Sequence, residues 1–183
     1  MARHKTIPDE QVLDTLLETI METGPAGLTF ARAAKASGLS PATLVQRYGD
    51  RDTMVRAVLL RAWDRLDDET DTADAEAAVT PSGAIDLLMW LMPAEMAERN
   101  ATDGLLLLRE DIRDPVLRAR GAAWARRLNQ ALARRLSPDA DEGARLAWQM
   151  ASIWQGAHTW WAFMREEPAD RAIRRMLESW LER

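Results

Sequence analysis

Apolar residues recur at three- and four-residue spacing along most of the chain, the period of a helix that buries one face. Over residues 8–23 the stripe is Val12, Leu13, Leu16, Leu17, Ile20 and Met21, preceded by Pro8 at a first helical position and by Asp9 and Glu10 at the positive end of the dipole. Gly24, Pro25 and Gly27 stop this helix, and Thr29 is placed to cap a second one that runs to about Ala36 and ends at Gly38. Ser40-Pro41 supplies a cap and a first-turn proline for a third helix over about 41–48. A fourth begins near Asp50 or Arg51 and carries Met54, Val55, Val58, Leu59, Ala62 and Leu66.

The pattern then breaks. Six acids fall within residues 67–76, and their mutual repulsion predicts a solvated linker or a frayed helix end leading to Thr80-Pro81-Ser82-Gly83. Helical periodicity resumes from Ala84 to about Arg99, with Pro93 placed to kink or divide it. It continues over about 102–111, from Asp114-Pro115 to Leu136, from Ser137-Pro138 to about Glu167, and in a last segment carrying Ile173, Met176, Leu177, Trp180 and Leu181. No internal repeat and no strand-type alternation is present. The expected fold is all-α, divided into residues 1–50, a connecting helix and acidic linker over 51–82, and a larger helical domain over 83–183.

Composition narrows the chemistry. The 183 residues include eight Trp and nine Met beside two Phe, one Tyr and no Cys, so no disulfide or thiolate is available and a reducing compartment is the natural fit. A basic N-terminus is followed by an amphipathic acidic segment instead of an apolar one, and the longest apolar run, Leu87 to Met92, is far short of the roughly 20 residues a bilayer requires. The expectation is a cytoplasmic protein with no membrane partner. With two widely spaced His, no glycine-rich phosphate loop and no nucleophile-elbow pattern, the chain offers no metal site, no cofactor site and no catalytic residue, so it is not read as an enzyme.

The net charge of −5 argues against a polyanionic partner until its distribution is considered. Between Leu28 and Arg51 the basic residues Arg32, Lys35, Arg47 and Arg51 face Asp50 alone, and Arg3 and Lys5 add a basic arm in which His4 is exposed. This basic stretch holds the two shortest helices, joined by almost no chain. Helices of seven or eight residues are marginal alone, so packing on longer neighbours must hold them, and a tight turn then projects the second at a fixed angle. That is the geometry of a helix-turn-helix, whose second helix enters the major groove of DNA. Phe30, Ala33, Ala34, Leu39, Leu44 and Tyr48 are the inward set. Pro41, Ala42, Thr43, Gln46 and Arg47 face outward. Gln46 suits an adenine edge, Thr43 a thymine methyl or a phosphate, and Lys35, Arg47 and Arg51 the phosphates. Thr29 and Ser40, at the two helix starts, complete the candidate DNA-binding set. A solvated helical hairpin is the alternative that this spacing leaves open.

Here the chain resembles the TetR family of bacterial transcriptional regulators. The residues that carry the resemblance are Thr29-Phe30-Ala31, Ala34, Ser37-Gly38-Leu39-Ser40, Thr43-Leu44-Val45-Gln46-Arg47-Tyr48 and Arg51-Asp52-Thr53-Met54, which follow the family's signature without a gap over about residues 8–60. Val45 stands where the family usually has a phosphate-contacting Tyr, and Arg47 where His is common. Residues 83–183 resemble the family in length, helix order and the Asp114-Pro115 start. The resemblance implies an N-terminal helix-turn-helix DNA-binding domain, a C-terminal domain for effector binding and dimerisation, a double-stranded DNA operator as partner, and repression as the commoner mode.

The residues of the larger domain support that division. The helix over about 139–167 is apolar on nearly every face, and a helix buried all round needs a partner beyond its own subunit. With the last helix it predicts a two-fold homodimer built as a four-helix bundle, with Trp148, Ser152, Gly156, Ile173, Met176 and Trp180 at the interface. Met89, Trp90, Met92, Met96, Leu105, Leu108, Trp124 and Trp154 are candidate walls of a pocket for a hydrophobic or aromatic small molecule, with His158 as its polar anchor. Each of these side chains also fits an ordinary core. A helical protein-interaction module without DNA binding is the rival function.

Overall fold

A computed structural model describes residues 7–182, all in helices and short connections, with no strand among the described residues. The helices are α1 (Asp9–Thr23), α2 (Phe30–Ser37), α3 (Pro41–Tyr48), α4 (Arg51–Glu76), α5 (Pro81–Leu91), α6 (Ala94–Arg113), α7 (Pro115–Leu136), α8 (Ala140–Met164) and α9 (Ala169–Leu181), with a short 3-10 turn over Pro25–Gly27 between α1 and α2. The basic arm residues Arg3, His4 and Lys5 lie outside the described residues.

The chain divides into two compact units. The first comprises residues up to Arg65 together with Leu106–Arg120, the second Leu66–Leu105 and Gly121 onward. This differs from the break expected over 51–82: the first half of α4 packs with the N-terminal helices, and the α6–α7 corner joins them from later in the chain. α4, α6 and α7 thus contribute residues to both units.

In the first unit, Val12, Leu16, Leu17 and Ile20 of α1 form one wall of a core completed by Leu28, Ala33, Leu44, Tyr48, Met54, Val58, Leu59 and Leu117. Local chemistry sets the ends of the two short helices. Thr29 Oγ1 accepts from the Arg32 amide at 3.2 Å, and Ser40 Oγ from the Thr43 amide at 3.1 Å. Gly38 ends α2 at φ 71°, in the left-handed region that glycine enters without steric cost. At the α6–α7 corner the Asp114 carboxylate accepts from the Val116 amide at 2.8 Å and from Arg56 Nε at 2.6 Å.

The second unit is built on Ile85, Leu87 and Leu88 of α5, Leu128 and Leu132 of α7, Met150 and Trp154 of α8, and Ile173 and Leu177 of α9. Two differences from the sequence expectation stand out. The acidic segment is helical, as the C-terminal half of α4, because α7 neutralises it: Arg127 lies 3.4 Å from both Asp67 and Asp71, and Arg134 and Arg135 both pair with Asp74. And α6 runs unbroken where two shorter segments are expected, with Pro93 separating it from α5. At the start of α5, a side chain on Gly83 would place its Cβ 1.9 Å from the carbonyl oxygen of Ala78, so glycine is required there by close backbone approach. No helix among the described residues is long and apolar enough to cross a membrane.

Candidate nucleic-acid interface

α3 is two turns long, and each turn commits one side to the core. Leu44 and Tyr48, four residues apart, are buried, and Tyr48 donates its hydroxyl to Asp9 Oδ1 at 2.8 Å, tying the end of α3 to the start of α1. Burial, reinforced by that hydrogen bond, pushes the Tyr48 hydroxyl well above its ordinary range. The opposite side carries Pro41, Ala42, Val45 and Gln46, all exposed. Thr43 is half-buried, its hydroxyl 2.8 Å from that of Ser40. Thr29, Lys35 and Ser40 are exposed. The helix therefore offers small side chains at its N-terminal end and the Gln46 amide one turn further on, with a fixed opposite face.

Two of the arginines assigned to phosphates from sequence are turned to acceptors within the protein. Arg51 donates from Nε to the Leu28 carbonyl at 2.9 Å and from Nη2 to the Pro25 carbonyl at 2.6 Å, with Nη1 3.2 Å from Asp52. It adds a second donor to the Pro25 carbonyl, which closes the 3-10 turn by accepting from the Leu28 amide, and supplies one to the Leu28 carbonyl that follows it. Arg47 donates from Nη2 to the Ile7 carbonyl at 3.1 Å and lies 3.5 Å from Asp9. Its place three residues beyond Leu44 turns it toward the N-terminal end of α1. The positive charge left facing solvent on α2 is that of Lys35 and of Arg32, a member of the basic stretch outside the candidate DNA-binding set, whose Nη1 also donates to the Gly27 carbonyl at 3.0 Å. Val45 is 46 % exposed beside Gln46, an apolar side chain on the outward row. Its type was the only sequence signal for it, a short hydrophobe where a hydroxyl-bearing ring is usual.

In the second unit the candidate effector residues separate into two groups. Met89, Met92 and Trp124 are partly buried against the core, Met96 is half-buried, and Trp154 and His158 are buried. Trp90 and Leu105 face solvent, because Leu87, Leu88 and Leu91 take the core side of α5 and Ala97 that of α6. Leu108 is also exposed and belongs to the first unit. The Trp124 indole donates to Thr70 Oγ1 at 2.9 Å. His158 Nδ1 is 2.8 Å from the Trp154 carbonyl oxygen, and burial holds the imidazole pKa below its ordinary value.

The residues expected at a dimer interface come together in part. Trp148, Ser152 and Trp180, with Gln149 and Ile153, line an open groove of about 500 Å³ along α8 and α9. Met176 is exposed and Gly156 half-buried. Ile173 is 1 % exposed within its own subunit, because α9 buries Ala169, Ile173 and Leu177 on one stripe, and it has no side-chain surface left for a partner. Further along α8, Trp160, Phe163 and Met164 are also exposed, Phe163 to 76 %.

No protein-family model and no curated sequence matches the chain. Solved structures do match it. A transcriptional regulator from Rhodococcus sp. Rha1 superposes with a TM-score of 0.76 at 16% identity, over 94% of this chain and 95% of that one. A TetR transcription regulator from Haloarcula marismortui gives 0.75 at 18% identity over 94% and 95%, and a TetR transcriptional regulator from Legionella pneumophila 0.68 at 13% over 97% and 98%. The chain therefore has the fold of TetR-family transcriptional regulators, with its N-terminal helix-turn-helix and C-terminal helical domain.

Proposed function

We propose that this chain is a TetR-type transcriptional regulator: a cytoplasmic homodimer, without catalytic activity, that binds a pseudo-palindromic DNA operator through α3 of each protomer and is released from it by a hydrophobic or aromatic small molecule. The observation that carries the reading is α3 itself, held from behind by Leu44, Tyr48 and the Tyr48–Asp9 hydrogen bond while Pro41, Ala42, Val45 and Gln46 remain exposed. Small residues at the start of the helix let its backbone approach base edges, and the Gln46 amide can both accept from and donate to an adenine. Thr43 meets a thymine methyl or a phosphate. Lys35, with the hydroxyls of Thr29 and Ser40, positions the protein on the phosphate backbone.

Two copies joined through α8 and α9 would cover the groove at Trp148 and Trp180 and the exposed Met176, forming a four-helix bundle. Such a dimer presents its two α3 helices about 34–36 Å apart, one helical turn of DNA. Met89, Met92, Met96, Trp124, Trp154 and His158 are the effector-binding set, and α4, α6 and α7, which contribute to both units, are the covalent route by which occupancy reaches α3. A switch from nearly full to nearly empty operator needs an effector that prefers the released state by about 10⁴-fold, or about 5.5 kcal/mol. Repression is the direction this architecture serves most simply, by blocking transcription until the effector arrives.

Footprinting of the purified protein on the DNA upstream of its own gene, across a salt series, tests the reading. A two-fold symmetric footprint that weakens steeply with salt is expected. No protection at low salt would overturn it in favour of a protein-interaction module docking through the exposed apolar residues of α8.

A further inference from the structure

Trp154 and His158 stand one turn apart on the buried side of α8, 2 % and 9 % exposed, with their rings edge to face at 86° and centroids 5.4 Å apart. Each holds a polar atom, Trp154 Nε1 and His158 Nε2, that is fully buried and has no hydrogen-bond partner in the protein. Buried polar atoms are almost always paired, so two of them on consecutive turns of one helix call for a shared explanation.

The protonation states follow from the contacts. His158 Nδ1 lies 2.8 Å from the Trp154 carbonyl oxygen. A carbonyl can only accept, so Nδ1 carries the proton and donates. In the neutral ring Nε2 is then a bare lone pair. The indole Nε1–H can only donate. The two atoms are therefore a donor and an acceptor on neighbouring turns of α8, and Trp154 belongs to a hydrophobic cluster that also holds Met150, with Met89, Met92 and Trp161 packed against it. Thioether side chains of this kind repack readily around an entering molecule.

We propose that Trp154 Nε1–H and His158 Nε2 are the polar anchor of the effector site, and that they select an uncharged hydrophobic molecule bearing a hydroxyl group, a phenol or an alcohol. A hydroxyl accepts from the indole and donates to the imidazole, satisfying both atoms. An ether or ketone answers the indole alone. A carboxylate would face the imidazole lone pair, and an ammonium would bring an unpaired charge into an apolar core. That the bound molecule acts as an effector rests on the regulator reading above; the donor–acceptor chemistry does not.

The test is a titration of the full-length protein, labelled with nitrogen-15, with phenol, anisole and toluene, following the ring nitrogens of Trp154 and His158 by NMR. Phenol is expected to move both resonances and to bind about tenfold more tightly than toluene, the effect of two buried hydrogen bonds, and about threefold more tightly than anisole, which makes only one. In Trp154→Phe or His158→Leu, each of which leaves one hydrogen bond, that preference should fall to about threefold while toluene binding persists. Phenol that binds no better than toluene overturns the proposal. So do wild-type nitrogens that phenol leaves unmoved, including the case in which both are already hydrogen-bonded to an internal water only; this readout stands even if a variant fails to fold. A protein that binds phenol as expected but protects no DNA removes the regulator reading and leaves the anchor. A DNA-binding protein indifferent to phenol does the reverse.

Discussion

The guanidinium of Arg135, on α7, is wholly buried and closes on Asp74 near the end of α4, with Nη1 2.5 Å from the carboxylate. The same group donates to the main-chain carbonyls of Asp74, Ala77, Ala78 and Ala131 at 2.7–3.0 Å. A helix leaves its last carbonyls without partners, and here one side chain reaches that of Asp74 and those of Ala77 and Ala78 just beyond the end of α4 while neutralising the acidic turn. Arg135→Met should therefore cost about 3 kcal/mol, because it leaves a partly buried carboxylate half-paired and the carbonyls of Asp74 and Ala77 unbonded. Urea denaturation followed by circular dichroism measures this. Arg135→Lys should fall between the two, since a single ammonium cannot span the same set of acceptors.

That staple also shows why part of the fold could be read from sequence and part could not. The ends of α2 and α3 were legible because Thr29, Gly38 and Ser40-Pro41 act within three or four residues of themselves, where spacing is enough. The helical state of residues 67–76 was not, because the repulsion among their acids is local while the arginines that relieve it lie on α7, more than fifty residues later. The same holds at the candidate interface. Gln46 and Ala42 stand outward as the helical period predicts. Arg47 and Arg51 look like phosphate ligands by charge and place, yet their partners are the Ile7 carbonyl, forty residues away, and the Leu28 and Pro25 carbonyls, more than twenty away. Side-chain length lets arginine find acceptors that no periodicity announces.

This redistribution of arginines changes which substitutions should act on DNA. Lys35→Ala should weaken operator binding about uniformly across sequences and reduce the slope of log affinity against log salt by about 1. Gln46→Ala should instead lose about 1–3 kcal/mol of discrimination at one base position of each half-site. Arg47→Ala should leave the salt slope unchanged and lower the unfolding midpoint, because its contacts tie α3 to the beginning of α1. Fluorescence anisotropy with the operator and a set of single-base variants separates the three outcomes.

Self-association should depend on Trp148. Its ring is half exposed in the groove along α8 and α9, beside Ile153 and Trp180 in the groove lining, and exposed apolar patches of this kind mark interfaces. A central Trp typically contributes 2 kcal/mol or more to such an interface, so Trp148→Glu should raise the dimer dissociation constant about thirtyfold or more. Sedimentation equilibrium measures it. Because Trp148 is not part of the subunit core, the variant should keep the helical circular dichroism of the parent at concentrations where it is monomeric.

Acid should loosen the first unit through Asp114. Its carboxylate is held below the ordinary value of 3.8, first by the hydrogen bond from Arg56, which outweighs the opposing effect of burial, and then by the amides of Val116 and Leu117. A carboxyl group depressed in the folded state adds stability that is fully present above its unfolded pKa and is lost as pH falls through the folded one. Asp14, hydrogen-bonded to Arg61 at 2.8 and 3.1 Å, is lowered in the same direction and adds to the same window. Stability should therefore be flat in this respect from pH 7 down to about 5 and fall below about 4. Asp114→Asn keeps an oxygen to accept from the Val116 amide but abolishes the ion pair with Arg56. It should be less stable than the parent at pH 7, and the gap should narrow as the pH approaches 3, where the parent carboxylate is itself becoming protonated. Urea midpoints of the two proteins at pH 7, 5, 4 and 3 test this, and a gap that stays constant across the series would assign the effect of the substitution to packing instead of charge.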